Sequence, residues 1–325
     1  MQVMKNSYWK NSASKLRAGV QLVGKWHRNS YKIMRMLGAG ATGTVYLATS
    51  AEGLVAVKVG HDNLAITSEV NVLKRFSKVQ EHSLGPSLFD VDDFVTAEGT
   101  LPFYAMEYLK GTQFIDYIQG KGSEWIGLFM VQLLGDLERL HQAGWVFGDL
   151  KPDNLLVSGP PAKVRWLDVG GITLFDRSIK EYTEFYDRGY WGLGTRKAEP
   201  SYDLFAVAMI MINCAYPKRF DKQSEPSLPL LRKRIESQPM LRPYSQVILS
   251  SLKGKYLQAA EMRKAILLAM SGGSSEQNRS LNKVSPTKKQ RKRKVKQKPS
   301  NFVEVFLVGS FIILVSILYL FGQSM

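Results

Sequence analysis

The chain has 325 residues, of which 45% are hydrophobic and 22% are charged. This composition excludes a disordered, collagen-like or disulfide-rich protein, and Cys214, the single cysteine, cannot form an intramolecular disulfide. The formal net charge of +16 is concentrated at the two ends, because residues 1–51 and 272–300 hold the excess of Lys and Arg, whereas residues 52–271 are balanced. We therefore expect an anionic partner to bind the flanks of the chain.

Residues 1–30 carry scattered Lys and Arg side chains and lack the apolar stretch of a secretory signal peptide. They are predicted to form a basic N-terminal extension. A globular domain is predicted to follow over residues 31–270, and all the chemical motifs of the chain lie within it.

The first of these motifs is a glycine-rich segment that contains Gly38, Gly40 and Gly43. The β-branched and aromatic residues 44–48 follow it, which predicts a second strand rather than the helix that a dinucleotide-binding fold requires. A glycine hairpin between two strands can close over phosphate groups with its backbone N–H groups. The pattern therefore favours binding of a nucleoside triphosphate.

The residues for phosphoryl transfer follow in order along the chain. Lys58 is the one charged residue of the next apolar strand and is placed to bind phosphates. Phosphoryl transfer also requires a carboxylate to orient the attacking hydroxyl and ligands for a metal ion. Asp149, Lys151 and Asn154 lie close together in the sequence, and Asp168 follows. The set predicts a phosphotransferase.

In this order and spacing, the motifs resemble those of the eukaryotic-type (Hanks-type) serine/threonine protein kinases of bacteria, over about residues 31–270. The resemblance implies an α+β fold with two lobes, a small β-rich N-terminal lobe and a larger helical C-terminal lobe. It also implies ATP as the phosphoryl donor with Mg²⁺ or Mn²⁺. The acceptors would be Ser or Thr residues of proteins, including other copies of this chain, since autophosphorylation in trans is expected.

The same resemblance assigns the site residues. Asp149 would be the catalytic base, and Lys151 would stabilise the γ-phosphoryl group. Asn154 and Asp168 would bind the metal ions. The predicted nucleotide-binding set, which includes the partner of the phosphate-binding lysine and the hinge that follows the gatekeeper methionine, is Gly38, Gly40, Gly43, Val45, Lys58, Glu69, Met106, Glu107 and Leu109.

Two further residues match supporting positions of the family. Thr183 lies in the activation segment, residues 168–199, and would bond to the base and its lysine. Asp203 begins an apolar run of twelve residues, 204–215, and would tie the resulting helix to the catalytic loop. The run is too short to span a bilayer, so it predicts a core helix.

Two features depart from the family pattern. The residue before Asp149 is Gly148, where many members have the arginine that binds a phosphorylated activation segment. Phosphorylation of Thr173 or Ser178 is therefore not expected to switch the enzyme on. The Ala-Pro-Glu motif is also absent and is replaced by residues 188–190, although Arg242 matches the usual partner of its glutamate.

Two other functional classes stay open at this point. A Gly-Asp pair at residues 148–149 and a short spacing between Lys58 and Glu69 also occur in small-molecule or lipid kinases of the aminoglycoside and lipopolysaccharide phosphotransferase type. A non-catalytic scaffold is the third alternative. Transfer of labelled phosphate from ATP to protein, to small molecules or to neither would distinguish the three.

The polar stretch 271–300 is predicted to form a flexible basic linker, with eight Lys and Arg residues within 288–298. Its basic tract, residues 283–298, is expected to contact anionic lipid or, without sequence preference, DNA. If the tract binds DNA, we also expect DNA to stimulate the kinase.

A single transmembrane helix is predicted over residues 301–322. Residues 305–322 carry no charge, and as a helix they would cover about 27 Å of the bilayer core. Because the basic residues precede this helix, the kinase domain is expected to be cytoplasmic and residues 323–325 to form an external tail of a protein of the cell membrane. This layout resembles that of membrane-anchored sporulation kinases of the same family.

Overall fold

The computed structural model describes residues 16–76, 85–223 and 226–280, which form two lobes. Within these ranges, the N-terminal lobe contains an antiparallel sheet and one helix, whereas the C-terminal lobe is mostly helical. The predicted two-lobed α+β architecture is therefore confirmed. The transmembrane helix predicted over 301–322 lies outside the described residues, and within these residues no helix has the length and apolar character needed to cross a bilayer.

Six strands in the order β1-β2-β3-β4-β6-β5 form the sheet of the N-terminal lobe, and every neighbouring pair is antiparallel. Alternate residues of these strands face two different apolar clusters, which explains why the central strands are rich in Val, Ala, Tyr and Phe. The elements are β1 Gln21–Val23, β2 Ser30–Ala39, β3 Gly43–Ser50, β4 Gly53–Gly60, α1 Asn63–Phe76, β5 Leu88–Thr96 and β6 Gly99–Glu107.

Elements of the structure extend past both predicted boundaries of the globular domain. On the N-terminal side, β1 pairs with β2 and Leu22 is fully buried, so the fold includes residues that were assigned to the extension 1–30. A three-residue strand flanked by basic residues is too short to show a hydrophobic period. On the C-terminal side, the last helix within the described residues is Ala259–Ser280, which crosses the predicted boundary at residue 270.

The segment after β1 is fastened to β5 by two buried carboxylates. Asp92 accepts hydrogen bonds from the backbone N–H groups of Trp26 (2.9 Å) and His27 (2.7 Å). Asp90 lies 2.6 Å from His27 Nδ1 and accepts the hydroxyl of Tyr31 at 2.8 Å. These bonds outweigh burial, so the pKa of each carboxyl lies below its usual value.

His27 gives this connection a pH dependence. The hydrogen bond and charge of Asp90 raise the pKa of His27 above 6.5. Its stabilising contribution is therefore complete below pH 6.5 and is lost as the pH rises through the higher pKa of the folded state. We expect the melting temperature to fall over this range in the wild type and to fall less in His27→Gln. Equal pH profiles for the two proteins would contradict this assignment.

The C-terminal lobe surrounds helix α4, whose side chains from Ser201 to Cys214 are all buried. This position explains an apolar run without helical periodicity. The remaining elements are β7 Thr112–Gln113, α2 Phe114–Ile118, α3 Ser123–Gln142, β8 Trp145–Val146, β9 Leu155–Ser158, β10 Lys163–Trp166, β11 Thr173–Leu174, α4 Pro200–Ala215, α5 Ser227–Ser237, α6 Ser245–Leu252 and α7 Ala259–Ser280.

Short paired strands flank the loops that contain the predicted catalytic and metal-binding residues. The segment between β8 and β9 contains Asp149, Lys151 and Asn154, while β10 leads into Asp168. β9 pairs with β10, and β8 pairs with β11. Both ends of the catalytic loop are therefore fixed by strand pairing to the segments on either side of Asp168.

Candidate active site

A cleft of about 720 Å³ lies between the two lobes. This volume is in the usual range for sites that bind small molecules and cofactors. Its lining contains every predicted site residue except Glu69: Gly38, Gly40, Gly43, Val45, Lys58, Met106, Glu107, Leu109, Asp149, Lys151, Asn154 and Asp168. The glycine hairpin between β2 and β3 thus belongs to the same cleft as the loops of the C-terminal lobe.

Glu69 lies behind this lining, bonded to Lys58. Lys58 Nζ is 2.8 Å and 2.7 Å from the two carboxylate oxygens of Glu69, and both side chains are buried. Glu69 also accepts hydrogen bonds from Thr42 Oγ1 and Tyr104 OH, each at 2.9 Å. Lys58 and Glu69 are only eleven positions apart, and they can still pair because β4 leads directly into α1. Burial and the charge of Glu69 raise the pKa of Tyr104, so its hydroxyl stays a donor.

The ammonium group of Lys58 also faces Asp168, whose Oδ1 is 3.7 Å away. Lys58→Arg is expected to lower phosphoryl transfer by about a hundred-fold or more, since a planar guanidinium cannot replace a compact ammonium between two carboxylates. The rate of phosphate transfer to a protein substrate, with a melting curve to verify folding, tests this.

Lys253→Arg supplies the matched control, because Lys253 is exposed at the end of α6. Retention of more than about a tenth of the activity by Lys58→Arg would contradict the role assigned to the ammonium group.

Asp149, Lys151 and Thr183 form one hydrogen-bonded group. Lys151 Nζ bonds to the Asp149 carboxylate and lies 3.0 Å from Thr183 Oγ1. Thr183 Oγ1 in turn donates to Asp149 Oδ1 at 3.1 Å. The activation segment is thereby attached to the catalytic loop, and the Asp149 carboxylate is oriented toward the cleft that it lines.

Asn154 and Asp168 supply oxygen ligands of the kind that Mg²⁺ prefers. Asn154 Nδ2 donates to the Asp149 carbonyl at 2.9 Å, which leaves its amide oxygen for a cation. The Asp168 side chain is 48% exposed, and its Oδ1 accepts the N–H of Gly170 at 3.0 Å. These two residues would hold a divalent cation, which neutralises phosphate charge during transfer.

Asp203 fixes the backbone just before the catalytic base. Its carboxylate accepts the N–H groups of Phe147 (2.7 Å) and Gly148 (3.0 Å) and lies 2.9 Å from His141 Nε2. Asp203 is fully buried at the start of α4. Sequence reasoning did not find His141, because it lies at the end of α3 outside any motif.

Gly148 has a conformation that explains the missing arginine. Its φ is +80°, and a Cβ built on it would lie 2.4 Å from the carbonyl oxygen of Gly171. No side chain fits between these two backbone segments. The contact places the stretch after Asp168 directly against the residue before Asp149.

The hinge connects the lobes through Glu107. Its carboxylate pairs with Arg165 at 2.9 Å and accepts the N–H of Ser87 at 3.2 Å. These bonds outweigh burial and lower the pKa of Glu107. The adjacent Met106 is buried and pairs with Ala56 across β4 and β6.

Sequence reasoning assigned no role to Asp153, a carboxylate of the catalytic loop that lines the cleft. It also missed Glu181, a cleft carboxylate of the activation segment. Burial and the negative charges of Asp168, Glu69 and Asp149 raise its pKa. No motif marks this residue, because its place depends on how the activation segment folds back toward the cleft.

Ion pairs stabilise the end of the activation segment. Arg188 bonds to Glu199 at 2.8 Å and to Ser201 at 2.7 Å. Buried Asp187 bonds to Arg196 at 2.7 Å. Arg242, the residue matched to the missing glutamate, is exposed and has no salt bridge within the described part of the chain. Arg188 and Glu199 thus form an ion pair within the activation segment that no sequence motif indicated.

A family model for the protein kinase domain matches residues 31–251. The chain belongs to the protein kinase family. It is 53% identical over 298 residues to the serine/threonine-protein kinase YabT of Bacillus subtilis (strain 168), covering 91% of this chain and 87% of YabT. It is also 23% identical over 257 residues to PrkC of the same organism, covering 73% of this chain and 38% of PrkC.

Solved structures show the same fold. Vaccinia related kinase 3 matches with a TM-score of 0.60 at 15% identity, over 83% of this chain and 96% of that structure. The PknI kinase domain of Mycobacterium tuberculosis matches with a TM-score of 0.53 at 20% identity, over 78% of this chain and all of that domain. The chain is a serine/threonine protein kinase that uses ATP, and the small-molecule kinase and scaffold alternatives are not favoured.

Proposed function

We propose that this kinase is a single-pass protein of the cell membrane, that its catalytic domain is cytoplasmic, and that DNA stimulates it through the basic tract 283–298. The distribution of charge carries the proposal. Residues 52–271 are electrically balanced, whereas ten basic residues and one acidic residue lie within 272–300, just before the uncharged stretch 305–322. Positive charge beside an apolar span favours a cytoplasmic orientation.

The catalytic cycle is proposed to use Mg²⁺ or Mn²⁺ at Asn154 and Asp168, because both ions accept amide and carboxylate oxygen ligands. Acceptors are Ser and Thr residues of cytoplasmic proteins and of other copies of this chain. Chains confined to one bilayer meet often, which favours autophosphorylation in trans.

Stimulation by DNA follows from the same confinement. A polymer with regularly spaced phosphates can hold several basic tracts side by side, which raises the local concentration of kinase domains without any contact to the catalytic residues. Binding of this kind is independent of sequence, since the tract has no aromatic or base-reading residues among its Lys and Arg side chains.

The test uses the full chain in neutral lipid nanodiscs, with autophosphorylation measured with and without DNA. We expect DNA to raise the rate and the effect to weaken steeply with salt. If all eight basic residues within 288–298 contact phosphates, the slope of log affinity against log salt approaches about −7. A variant with these eight residues changed to Gln should lose the stimulation and keep the basal rate.

A charge-conserving variant, in which Lys and Arg are exchanged at the same eight positions, is the matched control and should respond like the wild type. Nanodiscs with anionic lipid provide the comparison. Stimulation by anionic lipid but not by DNA would reject the nucleic-acid proposal and identify the tract as a membrane contact.

A further inference from the structure

The two edge strands of the N-terminal sheet, β1 and β5, meet at the segment that follows β1. Gly24 forms an antiparallel bridge with Phe94, and the N–H of Lys25 donates to the Asp93 carbonyl at 2.8 Å. The sheet is therefore closed at this point, and the loop between β1 and β2 is fixed against β5 by backbone bonds.

Three apolar side chains are exposed where these edges meet. Val23 is 40% exposed, Val95 is 55% exposed and Trp26 is 65% exposed. The antiparallel bridge puts Val23 and Val95 in neighbouring register positions, and both point away from the apolar cluster on which Phe94 packs. Exposed apolar side chains that are grouped in this way mark an interaction surface.

Trp26 is held in its exposed position by the protein. Its backbone N–H donates to Asp92 at 2.9 Å, and its indole N–H donates to Asp93 Oδ2 at 3.1 Å. The ammonium group of Lys25 lies 4.3 Å from the centre of the indole ring. The polar group of the indole is therefore bonded within the protein, while most of its apolar surface is presented to solvent.

Cations surround these apolar side chains. Lys25 and Arg28 belong to the loop between β1 and β2, and Lys32 lies on the same outward face as Val23, because Lys32 pairs with Gln21 across the two strands. The three cations are exposed and form no salt bridge within the part of the chain that the structure describes. We define the N-lobe patch as the surface formed by Val23, Lys25, Trp26, Arg28, Lys32 and Val95.

The mixture of groups in the N-lobe patch indicates the chemistry of its partner. Apolar side chains that include Trp, surrounded by Lys and Arg, suit the interfacial region of an anionic bilayer. DNA offers phosphates to the cations but no apolar contact of comparable kind to Val23 and Val95. A stable protein interface buries about 1,200–2,000 Å² and has few charges at its centre, whereas Lys25 covers Trp26 in the middle of this patch.

We propose that the N-lobe patch binds the surface of an anionic lipid bilayer. Trp26, Val23 and Val95 then lie at the boundary between headgroups and acyl chains, and the three cations contact lipid phosphates. The first 51 residues contain eight Lys and Arg and no acidic residue, which favours an anionic surface on this side of the domain. The patch residues are not part of the lining of the catalytic cleft, so the contact leaves the cleft accessible.

This proposal rests on the membrane location proposed above and is independent of stimulation by DNA. The experiment uses the full chain in nanodiscs, with a polarity-sensitive fluorophore attached beside the patch. Ala97→Cys places the label in the exposed turn two positions beyond Val95, and the native Cys214 is buried and therefore protected from the reagent. We expect the emission to shift to the blue when neutral lipid is replaced by anionic lipid. The same label at Lys253→Cys, on the C-terminal lobe, should not shift.

Variants of the patch separate its charges from its apolar side chains. The shift is followed as the fraction of anionic lipid increases, which gives the ratio of bound to free lobe. Lys25→Gln with Arg28→Gln should lower this ratio about thirty-fold, since each charge near an anionic surface contributes about five-fold. Trp26→Ala should lower it about ten-fold. A melting curve and the basal rate in neutral nanodiscs verify that each variant folds.

The matched control is the double variant Lys163→Gln and Lys233→Gln, which removes two exposed charges of the C-terminal lobe and should behave like the wild type. Retention of the kinase on neutral nanodiscs tests the membrane location separately, so failure of that proposal is distinguishable from failure of this one.

Four results would each overturn the proposal. The first is an equal signal from the Ala97→Cys label in neutral and anionic nanodiscs, and the second is a wild-type shift in the variant that lacks the charges of Lys25 and Arg28. The third is a shift produced by DNA on neutral nanodiscs but not by anionic lipid, which would identify a nucleic-acid surface. The fourth is a shift that requires two kinases in one nanodisc whatever the lipid, which would identify a second copy as the occupant.

Discussion

Asp149→Asn is expected to lower phosphoryl transfer by about a thousand-fold, because an amide cannot accept the proton of the attacking hydroxyl. The change is nearly isosteric, and the Asp149 side chain bonds to Lys151 and Thr183 at the edge of the cleft rather than in the core. The fold should therefore persist. Initial rates with a protein substrate, together with a melting curve, test both statements.

Asp116→Asn makes the same chemical change on the exposed face of α2 and should retain the wild-type rate. If Asp149→Asn kept most of the activity, Asp149 would not be the base, and Glu181 would be the next carboxylate of the cleft to test.

The lining of the cleft could be predicted largely from the sequence because its residues come in short local patterns. The glycine hairpin, Lys58 and the Asp149-to-Asn154 loop are each recognisable within a few positions, and their order along the chain restricts the fold that can bring them together. The pairing of Lys58 with Glu69 could also be predicted, because the two residues lie on a strand and on the helix that directly follows it.

Other parts of the site depend on long-range contacts that no local pattern shows. His141 reaches Asp203 from a helix 62 positions earlier in the chain. Arg188 pairs with Glu199 because the activation segment folds back on itself, and β1 joins the sheet although its three residues have no distinctive period. In each case long-range packing determines which residue or strand becomes the partner. The sequence alone contains several candidates of the same type and does not distinguish them.

Gly148→Arg, which restores the arginine common in the family, is expected to inactivate this kinase rather than to improve it. The backbone at position 148 has φ +80°, and any Cβ there would lie 2.4 Å from the Gly171 carbonyl. Left-handed backbone costs a side-chain-bearing residue about 1–2 kcal/mol, and the overlap adds a similar amount, so the free energy of unfolding should fall by about 3 kcal/mol. Gly148→Ala should show the same loss, because the overlap begins at Cβ.

The variants at Gly148 should lose more activity than their lower free energy of unfolding alone would explain. Gly171 is also packed against Asp149, since a Cβ on Gly171 would lie 2.9 Å from both the N and the Cβ of Asp149. Moving the two segments apart shifts the catalytic base relative to Asp168 and the metal ligands, and displacements of about 1 Å at such a site cost roughly a hundred-fold in rate.

Gly120→Ala separates the cost of the left-handed backbone from the cost of the steric overlap. Gly120 has φ +75° but nothing within 4 Å of an added Cβ. It should lose only the backbone contribution of about 1–2 kcal/mol and keep its activity. Chemical denaturation and initial rates for the three variants provide the comparison. A Gly148→Ala protein as stable and as active as Gly120→Ala would show that the approach of Gly171 does not position the base.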